Sequence, residues 1–430
     1  MLTNEELPSI TSTIKDSSAH PLLRQATIML LCTLMVSLKM NPILRRLLPL
    51  YIAAFFQGIP FWYAIEKLFM VDIGFTTASI GLMVAVMSVA MLAVETPSGI
   101  LADRWSRKGV MIVGSVSLLL SGAIGALSHT VFIFIVSTVF WGIYSALYSG
   151  TYDSAMYDTV MEEHGSSKKF ARYLGQLRAI EGAAFVLGAL GGGVIASVFG
   201  MRDAFFLSLP LILLSIFFLF RFREPQLHKA GVAEPVFKHI RQTFAAVLRR
   251  PILLPMIVAI VGFSVLLDVI FELSQLWFMA VDAPLVLYGI FSAVVFSSWS
   301  IGGVLVPKLK SRMALGTVFA TITIAIVGLI VMRNHWVILG AEFLLAVCLV
   351  ALGILLANRL HDELPSRLRT GSSSVVSTLA RLVLIPCSLL FTALASSYSI
   401  FSSTYLLLFI AVLAMCAFIF SQYKRQTIPV

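Results

Sequence analysis

Ionisable side chains inside apolar segments are the residues of this sequence that could do chemistry, because a charge in hydrocarbon is costly. The cost is about 2.5–3.5 kcal/mol for each group on insertion scales, so each needs a partner or a water-filled cavity. Asp268 and Glu272 lie four residues apart, on one face of a helix, with Gln275 one turn further. No local cation accompanies them in the sequence. Two neighbouring negative charges repel each other, so one of these acids tends to keep its proton, which suits proton exchange. The alternative is that both acids lie in a solvated outer vestibule.

A second charged pair, Arg178 and Glu181, lies three residues apart in another apolar segment. This spacing lets the two side chains pair on one helical face, and the alternative to a site role is a self-neutralising pair that meets no ligand. The other charged residues that we place inside apolar segments are Lys67, Arg381, Glu66, Glu95 and Glu342. The candidates for a charged, ion-coupling cavity are Glu66, Arg178, Glu181, Asp268, Glu272 and Arg381.

The string QGIPFWYAIEK interrupts the first apolar segment. Gly58 and Pro60 break a helix there, and the backbone groups that they free are tolerated in a membrane where they face a cavity. Tyr144 and Tyr148 lie one turn apart in a later segment. Packing or anchoring at the membrane interface is the commoner role of such aromatic residues. The candidates for lining a substrate cavity are Gln57, Trp62, Tyr63, Tyr144 and Tyr148.

The composition indicates which elements position these residues. The chain has 430 residues, of which 59% are hydrophobic and 12% charged, and its mean hydropathy is +0.96. A water-soluble fold of this length needs a larger polar surface, so most of the surface faces lipid. Apolar runs of about 20 residues recur, each long enough to cross the bilayer as a helix. The sequence therefore predicts an all-α membrane protein.

Twelve transmembrane helices are predicted, in two six-helix bundles. The expected spans lie near 47–70, 78–101, 109–128, 131–151, 172–198, 203–220, 252–276, 285–306, 314–332, 336–357, 372–395 and 401–421. The predicted regions are an N-terminal tail 1–40, a first bundle 41–221, a linker 222–250, a second bundle 251–421 and a tail 422–430. Within the linker, residues 236–250 mix apolar and basic residues in a pattern that suits a helix lying flat on the membrane. Met1 and Met40 are alternative starts of the chain.

The basic residues predict the orientation of the spans. Connectors on one side of the predicted membrane, together with the adjoining tails, carry 24 Lys and Arg residues, whereas the other side carries only Arg202 and Arg333. Positive charge accumulates on the cytoplasmic side of a membrane. The chain is therefore expected in a cell (inner or plasma) membrane, with both termini in the cytoplasm. The net charge of +10 is thereby explained without a nucleic-acid partner.

The connector between spans two and three carries a motif of the form G-x-x-x-D-R-x-x-R-K. Its residues are Gly99, Asp103, Arg104, Arg107 and Lys108. The motif and its position in a chain of twelve spans resemble the signature loop of the major facilitator superfamily, with Ser106 in place of the usual later glycine. The resemblance implies a secondary transporter in which this loop acts as a conformational latch between the two bundles. It places Asp103 near the start of span eleven, around Ser372–Ser374, where a helix N-terminus would attract an anion.

Asp103→Asn tests the latch. The substitution removes the charge that the helix N-terminus is expected to attract, while Arg104, Arg107 and Lys108 are expected to face the anionic membrane surface and still set the topology. We expect transport to fall while membrane insertion stays intact, as measured by flux and by the amount of protein in the membrane. Unchanged flux would remove the latch from the mechanism.

The second half contains an echo of this motif. Residues 303–312 read GVLVPKLKSR and align with residues 99–108, with Pro307 in the position of Asp103. This supports a duplicated six-helix unit, with two bundles related by a pseudo-two-fold axis that rock about a site near the membrane midplane. The loss of the acid predicts a single latch.

The remaining features bound the function. The four cysteines, Cys32, Cys348, Cys387 and Cys416, show no disulfide or metal spacing, so neither metal nor cofactor is expected.

The leading hypothesis is a monomeric secondary transporter of a small-molecule substrate. If transport is coupled to a cation, that cation would be a proton, and efflux is slightly favoured over uptake. The span-four arginine and the span-five Gly-Pro signature of drug–proton antiporters are absent, so antiport stays open. A transport-dead sensor is the alternative; a channel would show a repeated filter, and an intramembrane enzyme a nucleophile with its base.

Overall fold

The computed structural model describes residues 41–225, 253–309, 311–363 and 366–427. In this part of the chain, twelve segments are helical, long and apolar enough to cross a membrane. This confirms the predicted number of spans and the all-α class. The predicted tail 1–40 and the segment 236–250 lie outside the described residues.

The bounds of the helices define the spans used below. Span one consists of helix Pro42–Gln57, the 3-10 turn Phe61–Ala64 and helix Glu66–Asp72. Spans two to six are Thr77–Arg104, Arg107–Leu127, Val131–Tyr148 continued by Thr151–His164, Phe170–Val198 and Met201–Arg221. Spans seven to twelve are Leu254–Met279, Leu285–Leu305, Arg312–Val331, His335–Asp362, Ser366–Ser397 and Ile400–Thr427.

The predicted break in span one is confirmed, and the broken segment packs against span five. The first helix ends at Gln57, and a new helix begins at Glu66 after the 3-10 turn. Two glycines of span five lie directly against the broken segment. A Cβ added to Gly188 would lie 3.0 Å from Ile59 Cα, and one added to Gly192 would lie 1.9 Å from the Phe61 carbonyl oxygen. Glycine at these positions lets the irregular backbone of span one lie inside the bundle.

Span four is longer than the sequence predicted. The expected end near residue 151 is only a break, after which a second helix runs from Thr151 to His164. Gly150 and Gly165 adopt left-handed conformations, with φ of 77° and 62°, which bound this second helix on both sides. The segment after Gly150 therefore continues the span, and it brings Asp153 and Asp158 into the bundle.

The packing of the spans repeats across the two halves. Within the first half, span two packs on span four, span three on span six, and span one on span six. The same contacts recur six spans later, between spans eight and ten, nine and twelve, and seven and twelve. The helices after the two aligned connectors begin alike, because the hydroxyls of Ser106 and Ser311 accept from the backbone N–H groups of Gly109 and Ala314. These equivalences support the duplicated unit that the echo motif suggested.

The bundles meet mainly through two pairs of spans, two with eleven and five with eight, and span one adds smaller contacts with spans seven and eight. We call the side of the molecule that carries connectors 105–106, 165–169 and 222–225 the basic end, and the side that carries connectors 73–76, 128–130 and 280–284 the far end. At the far end the contact is tight: a Cβ on Gly193 would lie 2.8 Å from Gly289 Cα, and one on Gly81 would lie 2.9 Å from the Ser388 carbonyl oxygen. Towards the basic end of the same spans, Gly175 and Gly303 face open space. The bundles are therefore most closely packed at the far end.

Candidate functional site

Lys67 lies at the centre of a charged group that joins span one to span seven. Its side chain is only 2% exposed, and its ammonium pairs with the carboxylate of the neighbouring Glu66. The same ammonium lies 3.6 Å from Glu272 Oε2. A buried ammonium requires such partners, because an unpaired charge out of water is strongly destabilising. Carboxylates from two different bundles thus share one lysine.

Gln275 strengthens this junction. Its side-chain oxygen accepts a hydrogen bond of 2.9 Å from the backbone N–H of Lys67. Its side-chain nitrogen donates a hydrogen bond of 2.8 Å to the carbonyl oxygen of Tyr63. The Tyr63 carbonyl lies in the 3-10 turn, and the Lys67 N–H lies in the first turn of the helix that follows. The amide of span seven therefore satisfies polar groups that the break in span one leaves free.

Asp268 and Glu272 have cations near them that come from other spans. Arg381 of span eleven acts electrostatically on both acids, and Lys67 of span one acts on Glu272. Span seven itself contains no cation, as the sequence shows, so these partners were not visible from the local sequence. We call these five residues the cross-bundle cluster: Glu66, Lys67, Asp268, Glu272 and Arg381. Counted as ionised, the cluster holds three acids and two cations, which leaves one surplus negative charge.

Aromatic side chains border the cluster. The ring of Tyr63 lies 5.9 Å from that of Trp141 and 5.1 Å from that of Phe296, measured between centroids. Phe296 also contacts Phe185 and Phe271, at 5.5 and 5.9 Å. These five residues, from spans one, four, five, seven and eight, form what we call the aromatic wall. The sequence singled out only Tyr63 among them, because aromatic residues are common on lipid-facing surfaces as well.

A second charged group lies nearer the basic end and belongs to the first bundle alone. Arg178 pairs with Glu181 at 2.9 Å, which confirms the expected contact, and it also binds both oxygens of Asp153 at 2.7 Å. The hydroxyl of Tyr148 donates to Glu181. The Arg178 side chain is half exposed, so water screens this group more than the cross-bundle cluster. Among the residues described, no three His, Cys, Asp or Glu side chains are grouped so as to hold a metal ion.

Gln57 and Trp62 lie inside the first bundle in this conformation. The Gln57 amide donates to Ser115 Oγ at 2.7 Å and accepts from the Tyr152 hydroxyl at 3.1 Å. Tyr144 Oη lies 3.5 Å from the same Gln57 oxygen. Trp62 stacks on Phe205 with the ring centroids 5.3 Å apart. The contacts of Gln57 and Trp62 are therefore those of packing within one bundle, whereas Tyr63 contacts the second bundle through Phe296.

Two residues of the predicted latch hold the first bundle together at the basic end. Arg107 forms an ion pair with Asp158 of span four, and the Lys108 ammonium donates to the Phe220 carbonyl oxygen at 2.7 Å. Arg107 was expected to face the membrane surface, but its side chain turns inward to this buried carboxylate. The Glu224 carboxylate accepts from the backbone N–H of Arg107 at 2.6 Å, as an anion at a helix N-terminus should.

The expected partner of Asp103 needs a correction. Span eleven begins at Ser366, so Ser372–Ser374 lie more than a turn inside the helix, where backbone N–H groups are already bonded. The side chains of Asp103, Arg104 and Ser372–Ser374 lie outside the part of the chain whose side chains the structure describes, and so do the surroundings of Gly99. One polar contact between the bundles is present nearby, between the Ser377 hydroxyl and Glu95 Oε1 at 3.3 Å.

The comparisons with known proteins agree on one family. A family model described as Major Facilitator Superfamily matches residues 47–385. The quinolone resistance protein NorA of Staphylococcus aureus (strain MRSA252) is 26% identical over 143 residues, which is 33% of this chain and 36% of that protein. The match therefore spans only about a third of this relative.

Two solved structures share the fold across most of the chain. The nucleoside transporter NupG gives a TM-score of 0.71 at 12% identity and covers 88% of this chain and 98% of its own. A bacterial homolog of the human lysosomal transporter Spinster, inward-facing and unoccupied, gives 0.73 at 12% identity and covers 90% and 99%. At this identity the likeness concerns the fold alone, including its two six-helix bundles.

Proposed function

The chain belongs to the major facilitator superfamily, and we propose that it exports a small amphipathic solute with the free energy of a proton gradient. Membership of this superfamily supports secondary transport of a solute across a membrane. In such folds a site between the bundles is exposed to one side of the membrane at a time, as the bundles rock against each other. The specific elements of the proposal are the proton, the direction and the class of solute.

The cross-bundle cluster is the observation that supports proton coupling. Its acids and cations come from both bundles and leave one negative charge without a counter-charge among the described residues. An uncompensated charge at membrane depth is costly, so neutralisation by one proton or one positive group is favourable. Uptake and release of that proton would alter contacts between the bundles, and this is what coupling requires.

The aromatic wall supports an amphipathic solute. Rings from both bundles lie next to carboxylates, so a flat apolar molecule with a polar or positive group finds stacking surface and a charge partner together. Export is favoured over uptake because NorA, which is similar over a third of this chain, is named for quinolone resistance. The mixed apolar and acidic surroundings suit such a compound better than a sugar, which needs many hydrogen-bond donors and acceptors.

Reconstitution of the purified chain in liposomes tests the proposal. Labelled amphipathic solutes are screened with an imposed proton gradient, an imposed sodium gradient and no gradient. We expect accumulation against a concentration gradient only when the proton gradient is present. Accumulation that depends on the sodium gradient would show that sodium, and not the proton, is the coupling ion. Flux that only equilibrates the solute would indicate a channel, and binding without flux would indicate a sensor.

Phe296→Ala tests the role of the aromatic wall. Phe296 contacts three other rings, so its removal takes away the central stacking surface. An aromatic contact contributes about 0.5–1.5 kcal/mol, and we therefore expect the solute concentration for half-maximal export to rise about two- to tenfold. The matched control is Phe132→Ala, a phenylalanine of span four that is 75% exposed. An equal effect of both substitutions would argue against a binding role for the wall.

A further inference from the structure

We propose that Lys67 is a tethered counter-cation, which holds the far end of the bundles closed through Glu272 and releases that carboxylate when it takes up a proton. The inference rests on the proton coupling proposed above and adds the device by which a proton would open the far end. Lys67 acts here as a positioning residue: it sets the distance between the bundles and does not need to contact the solute.

The two carboxylates around Lys67 are not equivalent. Glu66 is the adjacent residue of the same helix and forms the closer ion pair, whereas Glu272 belongs to the other bundle and lies 3.6 Å from the ammonium. If Glu272 leaves, Lys67 keeps Glu66 and is not left as an unpaired buried charge, which would be strongly destabilising. Glu272 is therefore the exchangeable partner of Lys67, because breaking the Lys67–Glu272 contact leaves the ammonium paired with Glu66.

The contact lies where it can control the far end. Lys67 is the second residue of the helix Glu66–Asp72, which leads to the far-end connector 73–76, and Glu272 precedes the end of span seven at Met279 by two turns. The Gln275 hydrogen bonds to Tyr63 and Lys67 lie between these points and join the same two spans. Separation of the bundles at the far end must break the ionic contact and both hydrogen bonds.

The charges that face Glu272 set the direction of the pH effect. Span one contributes Glu66 and Lys67, span eleven contributes Arg381, and Asp268 lies one turn earlier on span seven itself. Protonation of Glu272 removes its attraction for Lys67 and Arg381, while Glu66 keeps Lys67 and Asp268 keeps Arg381. Low pH therefore favours an open far end, and high pH favours the closed one described here.

A distance measurement between the bundles tests this device. Spin labels are placed on Cys substitutions of Asp72 and Tyr398, two exposed far-end residues in opposite bundles, after Cys32, Cys348, Cys387 and Cys416 are replaced. Double electron–electron resonance in lipid nanodiscs then gives the ratio of long to short distances. We expect this ratio to rise about tenfold between pH 8 and pH 5 in the parent protein.

Three variants separate the device from a general loss of structure. Lys67→Gln and Glu272→Gln should each raise the ratio of long to short distances at pH 8 to the ratio that the parent protein shows at pH 5, because the ionic contact is absent. Lys67→Arg keeps the charge and should retain the pH response of the parent protein. A Lys67→Gln protein that stays closed at pH 8, or a Glu272→Gln protein that still responds to pH as the parent does, would overturn the inference.

The outcome is distinguishable from failure of the proposed function. If the parent protein shows the pH-dependent distance but no proton-driven export, the transport proposal fails and the switch stands. If export is proton-driven and Lys67→Gln leaves the distances unchanged, the switch fails and the transport proposal stands. Monodisperse elution of each variant in detergent confirms that it is folded.

Discussion

Glu272→Gln is expected to reduce proton-driven accumulation of the solute to equilibration. With one proton per solute, a gradient of two pH units supports an accumulation ratio of about 100, since each pH unit corresponds to a factor of ten. Glutamine has the size of glutamic acid but neither takes up nor releases a proton. The substitution also removes the surplus charge of the cross-bundle cluster, so the ratio should fall from about 100 to about 1 in liposomes with an imposed gradient.

Two controls make this result specific to coupling. Solute-for-solute exchange without a gradient should persist in Glu272→Gln, because exchange needs the rocking of the bundles and no net proton movement. Asp72→Asn removes an exposed acid from the same end of span one, outside the cluster, and should keep the full accumulation ratio. Undiminished accumulation by both Glu272→Gln and the matching Asp268→Asn would refute the assignment of the coupling site.

The cross-bundle cluster illustrates how far the sequence can predict a membrane site. The spacing of Asp268 and Glu272 predicted two acids on one helical face, because positions four apart share a face in any α-helix. The same reasoning could not provide Lys67, which is distant in the sequence and reaches Glu272 only because spans one and seven meet across the bundle interface. The sequence showed that Lys67 lies in an apolar segment and needs a charged partner. It could not show that Glu272 is the second partner, after Glu66.

Features set by local rules were predicted better than features set by packing. The number of spans follows from runs of apolar residues, and the Arg178–Glu181 pair follows from helical spacing. The end of span four was predicted near residue 151 because a glycine such as Gly150 often ends a helix. In the structure a second helix starts at Thr151, and its residue Asp158 pairs with Arg107. Arg107 was likewise assigned to the membrane surface because its buried partner lies on another span.

The close packing at the far end and the charged cluster are two parts of one closed state. The glycines of spans five and eight bring the bundles into contact, and this contact keeps Lys67 within reach of Glu272. In lipid, where no hydrophobic driving force acts between helices, van der Waals packing is one of the main attractions, and small residues allow the close approach that it needs. Disturbing this packing should therefore affect transport as strongly as removal of a charge.

Gly193→Ala is expected to destabilise the closed far end and to lower export about tenfold or more. The new methyl group would lie 2.8 Å from Gly289 Cα and 3.0 Å from the Val286 carbonyl oxygen, and backbone atoms cannot turn aside as a flexible side chain can. Overpacking of this kind costs about 1–3 kcal/mol. It should lower the thermal unfolding temperature in detergent as well as the rate of export into a solute-free medium. Gly303→Ala, on the facing span eight, adds the same methyl group where nothing lies within 4 Å, and both measurements should match the parent protein. If the two variants behave alike, the close approach of spans five and eight does not limit transport, and the far end is closed by the charged contacts alone.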